Sequence, residues 1–243
     1  RIEDETLGLR RRVASADHGM SGRVRMTCTT AVGQRVMKSG LFDKFGKLHP
    51  ALSVELVMTE NVLNLSAGEA DIAIRGGEPN DEALIGKKIA DVPWGIYASH
   101  AYVERYGAPK SPQDLGSHRI VRFIDALAGH KAAIWMRSHA PDARISGESG
   151  SIPSVLLAVK SGACLAPLPA PLADMDDELR CVLGPIMSYP MYLLTHRELR
   201  QVPRIKALFD FCVRELKPVV AGTVKPGEHA TPGGPVDCSR APS

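Results

Sequence analysis

The sequence predicts an α/β fold built on a parallel sheet. Short apolar runs alternate with helix-period segments through the first third of the chain, reading β-α-β-α-β, the order that builds parallel strands with helical crossovers. Composition agrees: 44% of the 243 residues are apolar and only 5% aromatic, enough for a sizeable aliphatic, alanine-rich core in one large domain or two small lobes. The third observation is the run Asp71-Ile72-Ala73-Ile74-Arg75, a short buried strand that ends on a cation beside Gly76-Gly77. A charge at a strand's carboxyl end sits where open α/β sheets place their ligands, so this run points to binding and not to catalysis.

The elements follow in order. Residues 1 to about 20 read as the tail of a charged helix released at Gly19 and Gly22, and the first strand spans Val24 to Thr27. Thr29-Thr30 lead into one long helix in which Val32, Val36, Leu41, Phe45 and Leu48 recur near helical spacing, ended by His49-Pro50. Ser53 to Met58 is a second strand. A short helix over Asn61 to Ala67 stops at Gly68 and precedes the Asp71 strand. Leu84 to Ile89 and Trp94 to Ala98 read as two strands joined by Asp91-Val92-Pro93. A helix over Ala101 to Tyr106 stops at Gly107, Ser111-Pro112 opens a helical turn, and Arg119 to Ile124 is a strand. The stretch 125–150 reads as irregular. Pro153 opens a helix to Ser161 with Gly162 as its stop, Ala163 to Leu168 and Met191 to Thr195 are strands, and Pro203 opens an amphipathic helix through Leu216. From Val219 to Ser243 there are four prolines and four glycines with almost no large apolar side chains, the composition of a disordered tail.

A net charge of +3 is too mild for a nucleic-acid surface, and the one dense basic run, Arg10-Arg11-Arg12, reads as a solvated helix face. The five cysteines, Cys28, Cys164, Cys181, Cys212 and Cys238, lack CxxC or other metal spacing; three lie in apolar runs as small buried hydrophobes. With no signal-peptide pattern and no apolar stretch near 18 residues, a reducing, cytoplasmic protein without a membrane span is expected. The opening arginine in a helical pattern suggests a piece of a longer chain. Catalytic and metal signatures are weak: Gly147-Glu148-Ser149-Gly150-Ser151 misses the nucleophile elbow at its last position, the histidines lack paired spacing, and the acids of 174–178 read as a solvated loop. No cofactor is expected.

Taken in order, these landmarks resemble the effector-binding domain of LysR-type transcriptional regulators, over about four fifths of the chain from Gly22 to Leu216. Gly22-Arg23-Val24-Arg25-Met26 resembles the family's first strand, Phe45-Gly46-Lys47-Leu48-His49-Pro50 the end of its first long helix, and Gly68 to Arg75 its most recognisable run. Ala98 to Tyr102 with Gly107-Ala108-Pro109, then Pro112 to Leu115 with His118, resemble the entry to the second lobe. Trp135, Val159 to Pro169 and Val202-Pro203-Arg204 continue the series. Three departures stand out: the family's N-terminal winged helix-turn-helix is absent, Ser39 stands about where a proline is frequent, and Ala163-Cys164 replaces the usual Gly-Ile or Gly-Val.

The resemblance implies a two-lobed fold like that of type 2 periplasmic binding proteins, with two crossover strands forming a hinge. Residues 1–21 would end a linker helix, 22–218 form the effector-binding domain (lobe I 22–91 and 190–218, lobe II 92–189), and 219–243 a disordered tail. It also implies a small, anionic effector between the lobes, self-association as dimer or tetramer, and DNA contact only through the missing N-terminal domain. Thr29, Thr30 and Thr59 follow strand ends, where they hold a ligand carboxylate or serve as plain helix caps. Arg75 is a ligand clamp or a partner in a structural salt bridge. Phe123 and Asp125 follow a lobe II strand, and Ser149 and Ser151 precede a helix N-terminus, so these four would meet the effector from the far side. Trp135 reads as local packing. The alternative is a transporter's solute-binding protein of the same architecture; an enzyme on this scaffold has no catalytic constellation to support it.

Overall fold

A computed structural model describes residues 19–222. The expectations for residues 1–18 and 223–243, including the linker helix, the Arg10 run and Cys238, lie outside the described residues. The chain divides into two compact units, with the boundaries at Asp91/Val92 and Tyr189/Pro190.

In unit I the first strand, β1 (Gly22–Cys28), is flanked by β2 (Leu52–Met58) and β3 (Ile72–Gly76), both parallel to it. The six-stranded sheet runs β2-β1-β3-β8-β4-β7, where β4 is Leu84–Ser99, β7 is Ala166–Pro169 and β8 is Leu179–His196. Strands β4 and β8 are those through which the chain passes from one unit to the other. The α/β class with a parallel core is therefore as predicted, while several elements differ.

The expected single helix after β1 is two, α1 (Thr30–Lys38) and α2 (Leu41–Leu48). Gly40 at φ +70° breaks them apart, a left-handed conformation that only glycine adopts without strain. Ser39 closes α1, donating from Oγ to the Val36 carbonyl at 2.7 Å. At Gly33 a Cβ would lie 2.4 Å from the Met58 sulfur, so a larger residue there would have to displace that flexible side chain. The expected helix over 61–67 is only a turn, because Asn64 and Glu69 bond the backbone locally. The Asn64 side chain accepts from the Ala67 N–H at 3.0 Å and the Glu69 carboxylate from the Asn64 N–H at 2.6 Å.

Strand β4 is continuous where two strands were expected. Proline's φ suits an extended chain, and pairing with β7 begins only at Trp94, so Pro93 owes no donor on that side. The last helix runs from Pro203 to Ala221, past Pro218 and into the residues expected to be tail. Val219 and Val220 are buried, and the Arg35 guanidinium donates to the Val219 carbonyl from Nε at 3.0 Å and Nη2 at 2.8 Å. That anchor and two buried valines outweigh the single hydrogen bond proline forfeits. The helix also packs Phe211 on Phe45 of α2, ring centroids 5.2 Å apart.

Unit II carries α3 (His100–Tyr106), then β5 (Arg119–Phe123) paired in parallel with β6 (Arg144–Ser149). Between them the region expected to be irregular holds α4 (Lys131–His139); α5 (Ile152–Lys160) and the short α6 (Ala170–Ala173) follow. The missed helix has weak amphipathicity because alanines make up much of its buried face, so it carries little periodic signal. Its core packs Ile96, Tyr102, Leu115, Ile120, Met136 and Leu165, and Trp135 stacks on His139 with centroids 4.2 Å apart. The Tyr102 hydroxyl accepts from the Arg119 N–H at 3.1 Å, leaving its proton for His118 Nδ1 at 2.9 Å. The acidic loop is anchored rather than merely solvated, since Lys160 binds Asp176 at 2.7 Å and Glu178 at 2.9 Å.

His130 caps α4 by accepting the Ala132 N–H on Nδ1 at 3.1 Å, and its ring lies 4.6 Å from both Trp94 and Tyr189. Burial, with help from the Lys131 charge, holds its pKa down at about 4. An unfolded histidine titrates near 6.5, so between pH 6.5 and 4 the unfolded chain binds the extra proton. Stability is full above that window and falls as pH drops through it, by roughly 3 kcal/mol. His130→Asn, which keeps a capping acceptor, should flatten the slope of Tm against pH in that window. Truncation after Lys217, which removes Val219, Val220 and the Arg35 acceptor, should lower unfolding free energy by about 3 kcal/mol in urea titrations.

Candidate functional site

Unit I aligns three strand ends by register. Cys28 pairs with Met58 on one side and Ile74 on the other, so Thr29, Thr59 and Arg75 follow at one level along the carboxyl edge. The Thr59 N–H donates to the Cys28 carbonyl at 3.0 Å, which extends the pairing one residue past the strands. Thr29 is the N-cap residue of α1 in an extended conformation, yet its side chain makes no capping bond. Capping falls to Glu60 instead, whose Oε1 accepts the Thr30 N–H at 3.1 Å. A carboxylate of the chain's own thus already stands on a first-turn amide of this helix, as the macrodipole favours. Thr59 Oγ1 accepts from the Asn61 N–H at 3.1 Å.

Among the described residues Arg75 does not form the salt bridge that the sequence allowed. Its guanidinium donates to the Leu63 carbonyl, burial lowers its pKa, and Glu69 opposes that shift. Beside it lies a pocket of about 570 Å³ whose walls include Leu63, Asn64, Glu78, Asp81 and Leu194; Thr29, Thr30 and Thr59 do not line it. The Asp71 of the same run does structural work. Its N–H donates to the Arg25 carbonyl and its carboxylate accepts the Arg25 N–H, both at 2.8 Å, while Thr195 Oγ1 donates to the Asp71 carbonyl at 2.7 Å. Burial raises the Asp71 pKa, against the backbone bond from Arg25 and the charges of Arg204 and Arg25.

Unit II has a carboxyl edge of its own at the end of the β5–β6 pair, where Phe123 sits opposite Ser149. The Ile124 N–H donates to the Ser149 carbonyl at 3.0 Å and carries the ladder one step further. Asp125 then turns with φ +47°, the one non-glycine residue at positive φ among the described residues. Gly150 lies against it: a Cβ there would be 3.2 Å from Asp125 Oδ2. Ser151 caps α5 by accepting the Ser154 N–H at 3.4 Å, and Ser149 Oγ donates to the Ser151 carbonyl at 3.1 Å. Asp125, Ser149 and Ser151 therefore form one cluster. Phe123, although beside them in sequence, is buried and lines a pocket beneath α4.

Among the described residues no group of three His, Cys, Asp or Glu could hold a metal ion, and no helix is long and apolar enough to cross a membrane. Burial pushes the thiols of Cys28, with Glu60 adding to the shift, and Cys212 up to about 12, and that of Cys164 up to about 11, so all three stay protonated. Sequence reasoning missed Glu60, whose partner is 30 residues away and leaves no spacing pattern to read.

A family model described as the LysR substrate binding domain matches residues 17–217. The chain belongs to this LysR family. Among its relatives, the HTH-type transcriptional activator AaeR of Escherichia coli is 35% identical over 97 residues, 40% of this chain and 31% of that protein. The HTH-type transcriptional regulator CrgA of Neisseria meningitidis is 26% identical over 187 residues, 72% of this chain and 61% of that protein. The chain thus spans about a third of the first relative's length and under two thirds of the second. The CrgA regulatory domain, a LysR-type regulator structure from Neisseria meningitidis, superposes with TM-score 0.69 at 20% identity, over 81% of this chain and 99% of that one. Full-length AphB, the Vibrio cholerae virulence activator, superposes with TM-score 0.68 at 21% identity, over 86% and 74%. These likenesses establish the two-lobed LysR effector-domain fold, related to that of periplasmic binding proteins.

The φ of Asp125 gives this LysR domain a testable strain. Asp125→Gly should leave stability unchanged or raise it by up to about 1 kcal/mol, since glycine relieves the left-handed cost but loses more entropy on folding. Asp125→Val should lower it, and chemical denaturation of both variants measures the difference.

Proposed function

We propose that this chain is the ligand-sensing module of a LysR-type transcription factor, with a small anionic metabolite as effector. The observation that carries the reading is the family match over residues 17–217. The relatives carry the names of transcriptional regulators, which favours this reading over a transporter's solute-binding protein and over an enzyme. In the full-length protein, DNA contact belongs to an N-terminal helix-turn-helix domain, and the sensor domain mediates assembly into dimers or tetramers in the cytoplasm. The effector acts by differential affinity for two arrangements of the protein, since equal binding to both would shift nothing.

Anion binding is supported at the unit I edge by Glu60, because a backbone N–H that donates to a side-chain carboxylate suits a ligand carboxylate of the same geometry. Thr30 carries that donor, and Thr29, with its hydroxyl unused for capping, and Thr59 flank it. Arg75, Asp125, Ser149 and Ser151 complete the proposed set, while Phe123, buried beneath α4, is left out of it.

Thermal-shift screening against a metabolite set rich in carboxylates tests the reading. One compound class should stabilise the chain saturably, by preferential binding to the folded state. Arg75→Ala should weaken that compound more than about tenfold, the worth of one charge-assisted bond. Glu60→Gln should strengthen it by removing the resident negative charge. Unchanged affinity in Arg75→Ala, with lowered Tm, would make Arg75 purely structural.

A further inference from the structure

Unit II holds a second cavity of different character. It lies between α4 and the β5–β6 pair, with a volume of about 330 Å³, within the range of small-molecule pockets. Its helix wall is one face of α4, where Ala133, Met136 and Arg137 fall at i, i+3 and i+4, with Ala140 just past the helix end. Alanine at two of these positions leaves the space a leucine would fill. The strand wall presents Ile120, Phe123 and Ile145, and Ile145 remains 43% exposed, so apolar surface reaches solvent at the rim.

Two guanidiniums complete the lining. Arg122 is neutralised, its Nε donating to Glu148 at 2.7 Å. Arg137 donates one bond, to the Ala128 carbonyl at 3.0 Å, and has no ion pair among the described residues. An apolar chamber with one uncompensated guanidinium selects a ligand with an apolar body and one acid group: the body gains by leaving water, and the fork of N–H donors matches a carboxylate. A cationic ligand meets repulsion, and a neutral one forgoes the charge-assisted bond.

We infer that the α4 pocket is a binding site for a compact lipophilic carboxylate, separate from the effector edges proposed above. Of the residues proposed at those edges none lines it; Phe123, which the sequence grouped with them, lines this pocket instead. The inference does not depend on the sensor reading, because its signals come from α4 and β6.

The test is a methyl-NMR titration of the 243-residue chain, following Met136 and Ile145, with phenylacetate as probe and phenylacetamide and phenethylamine as matched controls. Phenylacetate should shift both methyl signals saturably, the amide should bind at least about tenfold more weakly, and the amine should give no shift. Arg137→Gln should bring phenylacetate down to the affinity of the amide, and Ala140→Leu should abolish both by filling the cavity. Should Ala140→Leu fail to fold, the exposed Arg137→Gln decides. Equal binding of acid and amide, unmoved Met136 and Ile145 signals, or an unchanged acid-to-amide ratio in Arg137→Gln would each overturn the inference.

Discussion

The arrangement of unit I depends on β1 being held between β2 and β3 in a single register. Asp71 sets that register on one side: its N–H and carboxylate bond both backbone groups of Arg25, fixing where β3 begins against β1. A slip by one residue would turn the alternating Val24 and Met26 side chains out of the core and misalign the strand ends. Burying a carboxylate is costly, and here the Arg25 amide and the charges of Arg204 and Arg25 offset part of the cost, leaving the Asp71 pKa raised. The most recognisable run in the sequence is thus first a structural latch. Its arginine, four residues on, is what the latch carries to the carboxyl edge.

Because strands β1 and β2 end level, the donors of α1 and the side chains after β2 meet at one edge. Glu60 occupies the Thr30 amide there, so an incoming anion competes with a carboxylate the chain itself supplies. In unit II the corresponding positions are acidic and hydroxylic, with Asp125 strained into a left-handed turn against Gly150. Strain retained next to a strand end is commonly tied to function, and it singles out Asp125 among the proposed ligand contacts.

The two units solve capping with different chemistry, and the choices have consequences. A distant glutamate caps α1, a histidine wedged between two aromatic rings caps α4, and a serine caps α5. The histidine cap works only while Nδ1 is unprotonated, which makes the α4 region one acid-sensitive part of unit II. The same helix roofs the apolar pocket, and its alanines explain both facts about it: they leave volume beneath the helix, and they erase the periodicity by which it would have been recognised.

The sequence by itself determined the α/β class, the parallel β-α-β core, and the family, because these rest on local periodicity and on ordered runs such as Gly68 to Arg75. It also placed the strand-end residues Thr29 and Thr59, since a strand end followed by a small hydroxyl is a local pattern, whereas the strand that ends at Ser149 lay in a stretch read as irregular. Only the tertiary structure decided that Gly40 splits the first helix, that β4 runs straight through Pro93, and that the last helix continues past Pro218. The last of these turns on a contact made far along the chain. Arg35 reaches Val219 across 184 residues and Glu60 reaches Thr30 across 30, and no spacing rule carries a hydrogen bond between segments that meet only on folding.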